Sequence, residues 1–480
     1  MQFGLAIIPS DMVKQYAIRL LLLSLAGGAS ISISKAQVLT LKDAVQTALS
    51  NYASIKAKNN YLNASKSNVT AAQRDALPDF TLSAQQDYGT INGTTGPLYG
   101  YRGLSVASSG PALAHQNWNS AFGALYLANI NWDFYAFGKA KEKIKVYQQA
   151  VARDASDLEQ EKFQQEVRVA GAYLNLLAAQ RIVLSQQRNL DRAQSFQLVV
   201  TARAKSGLNA GVDSSLANAE VSNAKIALTR AIDQQQQQAS ELSELLGTGP
   251  ATAYTLDTLF VTRIPTTAYD SAAQSQLANH PVLQFYKRRI DLSNEQAKYL
   301  RTFNYPVFSL FGVLQDRASG FDYDYGAANP GGYTHNYFDG ISPTRANYLI
   351  GVGVTWNLTS PLRVKHQVAS QLWTSRALQD EYELINQRLK TQESLSQTKM
   401  RNALDNYTEA PIQVKASSDA YLQKSVLYKN GLSNIVDVTQ ALYALNRAET
   451  DRDIAYNNVW QALLLKAASA GDFNLFISQF

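Results

Sequence analysis

The titratable residues with the most ordered spacing are two aspartates, Asp213 and Asp437, 224 residues apart. Each closes a nine-residue segment, KSGLNAGVD at 205–213 and KNGLSNIVD at 429–437, in which Lys, Gly, Leu, Val and Asp recur in register. A Gly directly after a long helix-forming run suits a helix C-cap, because it takes positive φ without a Cβ clash. An acid a few residues later suits the first turn of the next helix. The chemistry on offer is therefore that of a hairpin bend carrying a carboxylate. Catalytic chemistry is poorly provided for: the chain has four His and no Cys, and no HExxH spacing. Gly247-Thr248-Gly249 and Gly351-Val352-Gly353 lack the Lys-Ser/Thr or helix context of a phosphate loop, and no G-x-S-x-G elbow occurs. No enzyme, cofactor or metal site is expected, and no Met or His cluster points to copper or silver.

The elements that carry the two bends are themselves duplicated. Trp132 and Trp356 also differ by 224, whereas Asn51 pairs with Asn279 and Pro78 with Pro306 at an offset of 228. The four-residue difference falls between Pro78 and Trp132, where a loop absorbs it at little cost. In the first copy a helix runs from about 41 to Pro78. A strand at about 79–88 and a long aromatic, Gly-rich loop follow. A cleaner strand at about 122–134 leads to a helical hairpin over 139–247, with its tip at 205–213. The helix from 139 to 206 contains a single Gly and no Pro, and would be about 100 Å long. Ile144, Tyr147, Val151, Ala155 and Leu158 step along it by threes and fours, as a coiled-coil seam requires. After a connector at 251–270, the second copy (271–470) repeats the plan. It has strands at about 306–315 and 347–358 and a hairpin over 363–469, with its tip at 429–437. The tail, 471–480, shows no clear pattern.

Residues 1–36 differ in kind from the rest. Lys14 and Arg19 precede or open an apolar run, and Ser34-Lys35-Ala36 suits cleavage before Gln37, so a secretory signal peptide is expected. With no Cys, a lipid anchor on the new N-terminus is not expected. Removing 1–36 leaves 41 basic and 37 acidic side chains, a mild net charge of +4 with no basic cluster beyond Lys287-Arg288-Arg289, so nucleic acid is not an expected partner. No later segment reads as a membrane-spanning helix, which leaves strands to make any membrane contact.

Four strands of ten to twelve residues have the length needed to cross a hydrocarbon layer at a tilt, and one face of each is rich in Trp, Tyr, Ile and Val. Four strands cannot close a barrel, which needs about eight, so several copies must contribute. The fold class expected is an α+β membrane protein of long helical hairpins plus four strands per chain in a shared barrel. The lipid-facing belt is expected to be Tyr126, Trp132, Phe134, Tyr348, Trp356 and Leu358. A secreted coiled-coil adhesin or rod would explain the helices but not paired lipid-length strands.

On these features (the duplication, the Ala76-Leu77-Pro78 break, strands ending at Trp132 and Trp356, and two Gly-Leu tips) the chain resembles the TolC-type outer-membrane factor family over nearly all of its length after residue 36. The resemblance implies a homotrimer with a twelve-stranded outer-membrane barrel and a helical periplasmic tunnel. Such a duct serves drug or metal efflux or type I secretion, together with a periplasmic adaptor and an inner-membrane pump. It assigns adaptor contact to Ser206, Gly207, Leu208, Asn430, Gly431 and Leu432. It places the periplasmic entrance at Asp213, Tyr428, Ser433, Asp437 and Gln440. Asp437 matches one position of the family's aspartate ring, but the next is Gln440, and Ser433 stands where the family can carry a locking Arg. Convergence of three Asp437 side chains would raise their pKa and make a cation site. Asp437 also suits a plain role as a first-turn acid behind an Asn434 cap.

Overall fold

The computed structural model describes residues 38–92, 113–250, 254–258, 263–266, 277–326 and 328–480. The expected signal segment, the loop residues Tyr99 and Tyr101 and most of the connector lie outside them. The chain begins with two helices, α1 (Leu41–Asn51) and α2 (Ala53–Arg74), where the sequence suggests one. No Gly or Pro causes the break. Tyr52 adopts an extended ψ of 124°, and Gly247, in a left-handed conformation, packs its backbone onto Asn51, where a Cβ would lie 3.0 Å from the Asn51 carbonyl carbon. Tertiary packing, not local propensity, divides this helix.

Strands β1 (Asp79–Thr90) and β2 (Ser120–Tyr135) precede α3 (Lys139–Lys205) and α4 (Gly211–Leu246). The second half supplies α5 (Pro281–Arg301) and β3 (Val307–Ser319). A short α6 (Tyr337–Ile341) and β4 (Arg345–Thr355) follow, then α7 (Ser360–Lys429) and α8 (Ile435–Ala470). At 67 and 70 residues, α3 and α7 are each about 100 Å long. The tail, without pattern in the sequence, folds as α9 (Asn474–Ile477). It stacks Phe476 and Phe480 against the buried Trp460. One stretch of α3 is apolar and long enough to pass for a membrane span, contrary to the sequence reading. The helix places Val169, Tyr173, Leu174, Leu176 and Leu177 in the main core, so packing against α1, α4 and α8 explains its apolarity.

The strands form one antiparallel sheet in the order β1-β2-β3-β4. Register sorts most of their side chains by polarity. Phe80, Ile130, Gly312 and Ile350 occupy one row, and Leu82, Ala128, Leu314 and Tyr348 the next row on the same face. The opposite face is the more polar, with Asp79, Thr81, Ser83, Asn129, Asn131, Gln315 and Asn347, although Leu127, Phe311, Val313 and Leu349 also lie on it. One apolar and one polar face is the division expected of a sheet between lipid and a wet lumen.

The duplication extends to single hydrogen bonds. The Trp132 indole N–H donates to the Ala76 carbonyl, and the Trp356 indole N–H donates to the Asn304 carbonyl, both at 3.0 Å. Ala76 and Asn304 each stand two residues before the proline that starts a strand, so each Trp ties the end of one strand to the helix exit before its neighbour. Trp132→Phe and Trp356→Phe should each cost about 1 kcal/mol, the net value of one such bond. Thermal melting of the detergent-solubilised protein followed by circular dichroism checks this: both variants should melt lower than the parent, by similar amounts.

Candidate functional site

The tips are built by two equivalent helix terminations. Gly207 and Gly431 take φ of 73° and 75°. At each, a Schellman pattern satisfies the last carbonyls: Leu208 N–H donates to Arg203 O (3.0 Å) and Leu432 N–H to Leu427 O (2.8 Å). Ser206 Oγ donates to Arg203 O and Asn430 Nδ2 to Val426 O, so both side chains serve their own helix ends. The turn pushes Leu208 and Leu432 into solvent, 68% and 74% exposed. Neither glycine is crowded, the nearest atom to a Cβ at 431 being Arg203 Nη2 at 3.6 Å. Left-handed strain alone therefore penalises a side chain there.

Beyond the bends the two copies diverge. The sequence grouped Asp213, Tyr428, Ser433, Asp437 and Gln440, and the structure divides them into two polar sets. In the first, Arg203 donates through Nε to Asn209 Oδ1 (2.8 Å) and through Nη1 to the Lys429 carbonyl (2.7 Å). Asn209 Nδ2 in turn donates to Asp213 Oδ2 (2.8 Å) and to the Tyr428 hydroxyl (3.0 Å). Arg203 also lies over the Tyr428 ring, 5.7 Å from its centroid. Tyr428 is buried against Phe196 and Val438. Burial, then the charge of Asp213, push its phenol pKa up, with Arg203 opposing. This set stitches the α3–α4 hairpin to the end of α7.

The second set belongs to the other hairpin. Asn434 caps α8 by accepting from Asp437 N–H (2.9 Å), and Asp437 Oδ2 accepts from Lys424 Nζ (3.1 Å) and Ser433 Oγ (3.0 Å). The Lys424 hydrogen bond, then that from Ser433, hold the Asp437 carboxyl below its ordinary range. This is opposite in direction to the rise expected from repulsion among like carboxylates, because Lys424, one turn before the α7 terminus, compensates the charge within the chain. Gln440 is exposed and joins neither set among the described residues. Further along, Arg192 makes a two-pronged ion pair with Glu449 (3.1 and 2.7 Å) and Tyr443 donates to the Glu220 carboxylate, tying α3 and α4 to α8.

At the other end of the molecule, Trp132, Phe134, Tyr348, Trp356 and Leu358 are all exposed. Two corrections apply to the expected belt. Trp356 and Leu358 lie past the end of β4, at the junction with α7, because β4 stops at Thr355. Tyr126 shares the apolar face with Trp132 but is half-buried, its hydroxyl donating to the Ile341 carbonyl (3.2 Å) beneath α6.

A four-stranded sheet joined to two helical hairpins, each with one arm of about 100 Å, is an architecture shared with known proteins. The family model for outer membrane efflux proteins matches residues 44–248. That match spans the first structural repeat and a little under half of the chain. Solved structures show the same fold at low identity. The outer-membrane channel OprN superposes with a TM-score of 0.70 at 15% identity, covering 90% of this chain and 89% of that one. VceC from Vibrio cholerae gives 0.70 at 16% identity, covering 90% and 96%. The Campylobacter jejuni CmeC outer membrane channel gives 0.68 at 14% identity, covering 90% and 85%. No curated protein matches the sequence significantly. The partial family match and the shared fold both lead to outer-membrane efflux channels of the TolC type, which extend into the periplasm. Channels of the family are trimers.

Arg203, Asn209 and Lys424 escaped the sequence reading, although a signal for them exists. Offset by 224, they stand opposite Leu427, Ser433 and Val200, so each marks a place where the 224-residue repeat is broken. The shared features build the bend, and the departures build its polar ties.

Two outcomes follow. Gly207→Ala and Gly431→Ala should each cost about 1 kcal/mol, from left-handed strain without a clash, read as a lower melting temperature. The Asp437–Lys424 pair is present above the ordinary aspartate pKa of about 4 and is lost as pH falls through the depressed folded value. In Lys424→Met the Asp437 pKa should rise, so any pH-dependent change in channel conductance that depends on Asp437 should move to higher pH.

Proposed function

We propose that this channel is the exit duct of a tripartite pump and that its two Gly-capped tips dock a periplasmic adaptor. The observation that carries the reading is the pair of exposed leucines, Leu208 and Leu432, held outward by rigid Schellman turns at the ends of both hairpins. Large apolar side chains presented singly at a preorganised turn suit a partner with matching pockets, and little ordering entropy is spent when they bind. Ser206, Gly207, Asn430 and Gly431 shape the same turns. Substrate choice belongs to the pump, since the lumen contributes passage and not chemistry.

The entrance is gated, on this reading, by the polar ties described above. Separating the α3–α4 hairpin from the α7–α8 hairpin requires loss of the Arg203 bond to the Lys429 carbonyl and of the Asn209 bond to Tyr428. These bonds act with the Arg192–Glu449 pair and the cluster of Phe196, Tyr428 and Val438, and differential binding of a partner would have to offset them together. Asp437 acts as a carboxylate whose availability to cations is set by Lys424.

Leu208→Asp combined with Leu432→Asp should abolish resistance to dyes and detergents in cells while the trimer remains in the outer membrane. Unchanged resistance would contradict adaptor docking at these tips. In planar bilayers, Arg203→Ala should raise the open probability. Asp437→Ala should remove divalent-cation block, and Lys424→Ala should strengthen it. Identical block in all three proteins would rule out Asp437 as the cation group.

A further inference from the structure

The β3–β4 connection does not stand up from the end of the sheet. It turns back over the apolar face. Gly340 in α6 (Tyr337–Ile341) lies directly on the Phe122 backbone, so closely that a Cβ at 340 would be 2.5 Å from Phe122 Cβ. The Tyr337 ring meets Phe122 edge-on at 5.1 Å. Tyr337 donates to Gln86 Oε1 (2.7 Å), Gln86 Nε2 donates to the Tyr126 hydroxyl (3.3 Å), and Tyr126 donates to the Ile341 carbonyl. Tyr88 meets His335 at 3.3 Å and accepts from Ser120 (2.7 Å). Gln86, Tyr88, Phe122 and Tyr126 belong, by register, to the same face as Phe80, Ile130 and Trp132. The strap is therefore on the side of the sheet that meets lipid, not over the lumen.

Tyr126 stands six residues above Trp132, about 20 Å along a strand, or about 15 Å in height at a tilt of about 40°. Phe122 stands about 25 Å above Trp132, the height of the lipid-facing band of an outer-membrane barrel. Without α6, Gln86 Oε1 and the Tyr126 O–H would lose their partners and face hydrocarbon with only the Gln86–Tyr126 bond left, at a cost of several kcal/mol. With α6 in place those groups are bonded, and the outward side of the strap shows Phe338, 71% exposed, beside the half-exposed Tyr337. Below the strap an open groove of about 350 Å³ is lined by Leu82, Ala84, Tyr126, Ala128, Leu314 and Asp316.

We propose that α6 is an interfacial lipid anchor. It supplies the outer aromatic girdle of the barrel from outside the strands, with Phe338 at the boundary between headgroups and acyl chains and the groove beneath it open to an acyl chain of the outer leaflet. The occupant is lipid because the surface is continuous with the belt of Leu82, Ile350, Val352 and Trp132. Aromatic residues at such a boundary place an apolar body in the hydrocarbon and a polar tip in water. Tyr323, in the same connection but 95% exposed and outside the face contacts, points to solvent instead.

The chain has no native Cys, which makes the test direct. Phe338→Cys, Tyr348→Cys and Tyr323→Cys trimers would be nitroxide-labelled and reconstituted in phosphatidylethanolamine–phosphatidylglycerol vesicles. Collision with oxygen and with a water-soluble nickel chelate would then be measured by power saturation. The label at 338 should resemble that at 348, with oxygen favoured and nickel access several-fold lower than at 323. Gly340→Val, which cannot sit on Phe122, should shift the 338 label toward the values at 323 in trimers that still assemble. Should that variant fail to assemble, the comparison of 338 with 323 decides alone. Nickel access at 338 equal to that at 323 would overturn the proposal. So would a label shielded from both reagents, which would place α6 against a neighbouring subunit.

Discussion

The structure depends on the backbone of two edge strands. β1 and β4 each present a row of N–H and C=O groups along one side, and the apolar face between them belongs in hydrocarbon, where no water is available to bond those groups. Each unsatisfied group would cost several kcal/mol, far more than any side-chain contact in the sheet supplies. A four-stranded sheet of this composition is therefore incomplete by itself, and closure by identical copies is the least costly remedy. A trimer, the state of TolC-type channels, would supply twelve strands for that closure.

Once three sheets close, the helices are constrained in turn. Each strand pair feeds a helical hairpin, and the indole bonds of Trp132 and Trp356 fix the exit of one strand to the helix end before the next. Equivalent junctions in each half carry the strands of a barrel directly into the helices of a tunnel. The far ends of the hairpins bear no such symmetric tie. There Arg203 and Lys424 appear on opposite hairpins, and the two halves hold their ends by different polar contacts. An entrance that must open differs in this respect from a barrel that must not.

The fold class was legible in the sequence because its signals are long and periodic. The alternation of β2, the uninterrupted run of α3 and the 224-residue repeat survive any local ambiguity. The break at Tyr52 was not legible, since Gly247 imposes it from a distant helix end. Nor was the end of β4, where the Trp356 side chain bonds outside the strand although its sequence continues the alternation. At the tip, Gly207 and Gly431 announced their conformation through position alone, whereas the state of Asp437 depends on Lys424, thirteen residues away across the bend. Tyr126 had the right face and the wrong neighbours, because α6 comes from a Gly-rich loop with no periodicity to place it. Local rules read bends and faces well, while partners brought by the chain from elsewhere decide charge and exposure.

The central claim is that the β1 and β4 edges are sealed by neighbouring copies. Amide hydrogen exchange along the four strands of the assembled protein tests it most directly. Exchange at Leu82 to Tyr88 and at Tyr348 to Val354 should be as slow as in β2 and β3, and should accelerate only when the assembly dissociates. Rapid exchange along both edges in a folded, membrane-inserted protein, with β2 and β3 protected, would contradict the account.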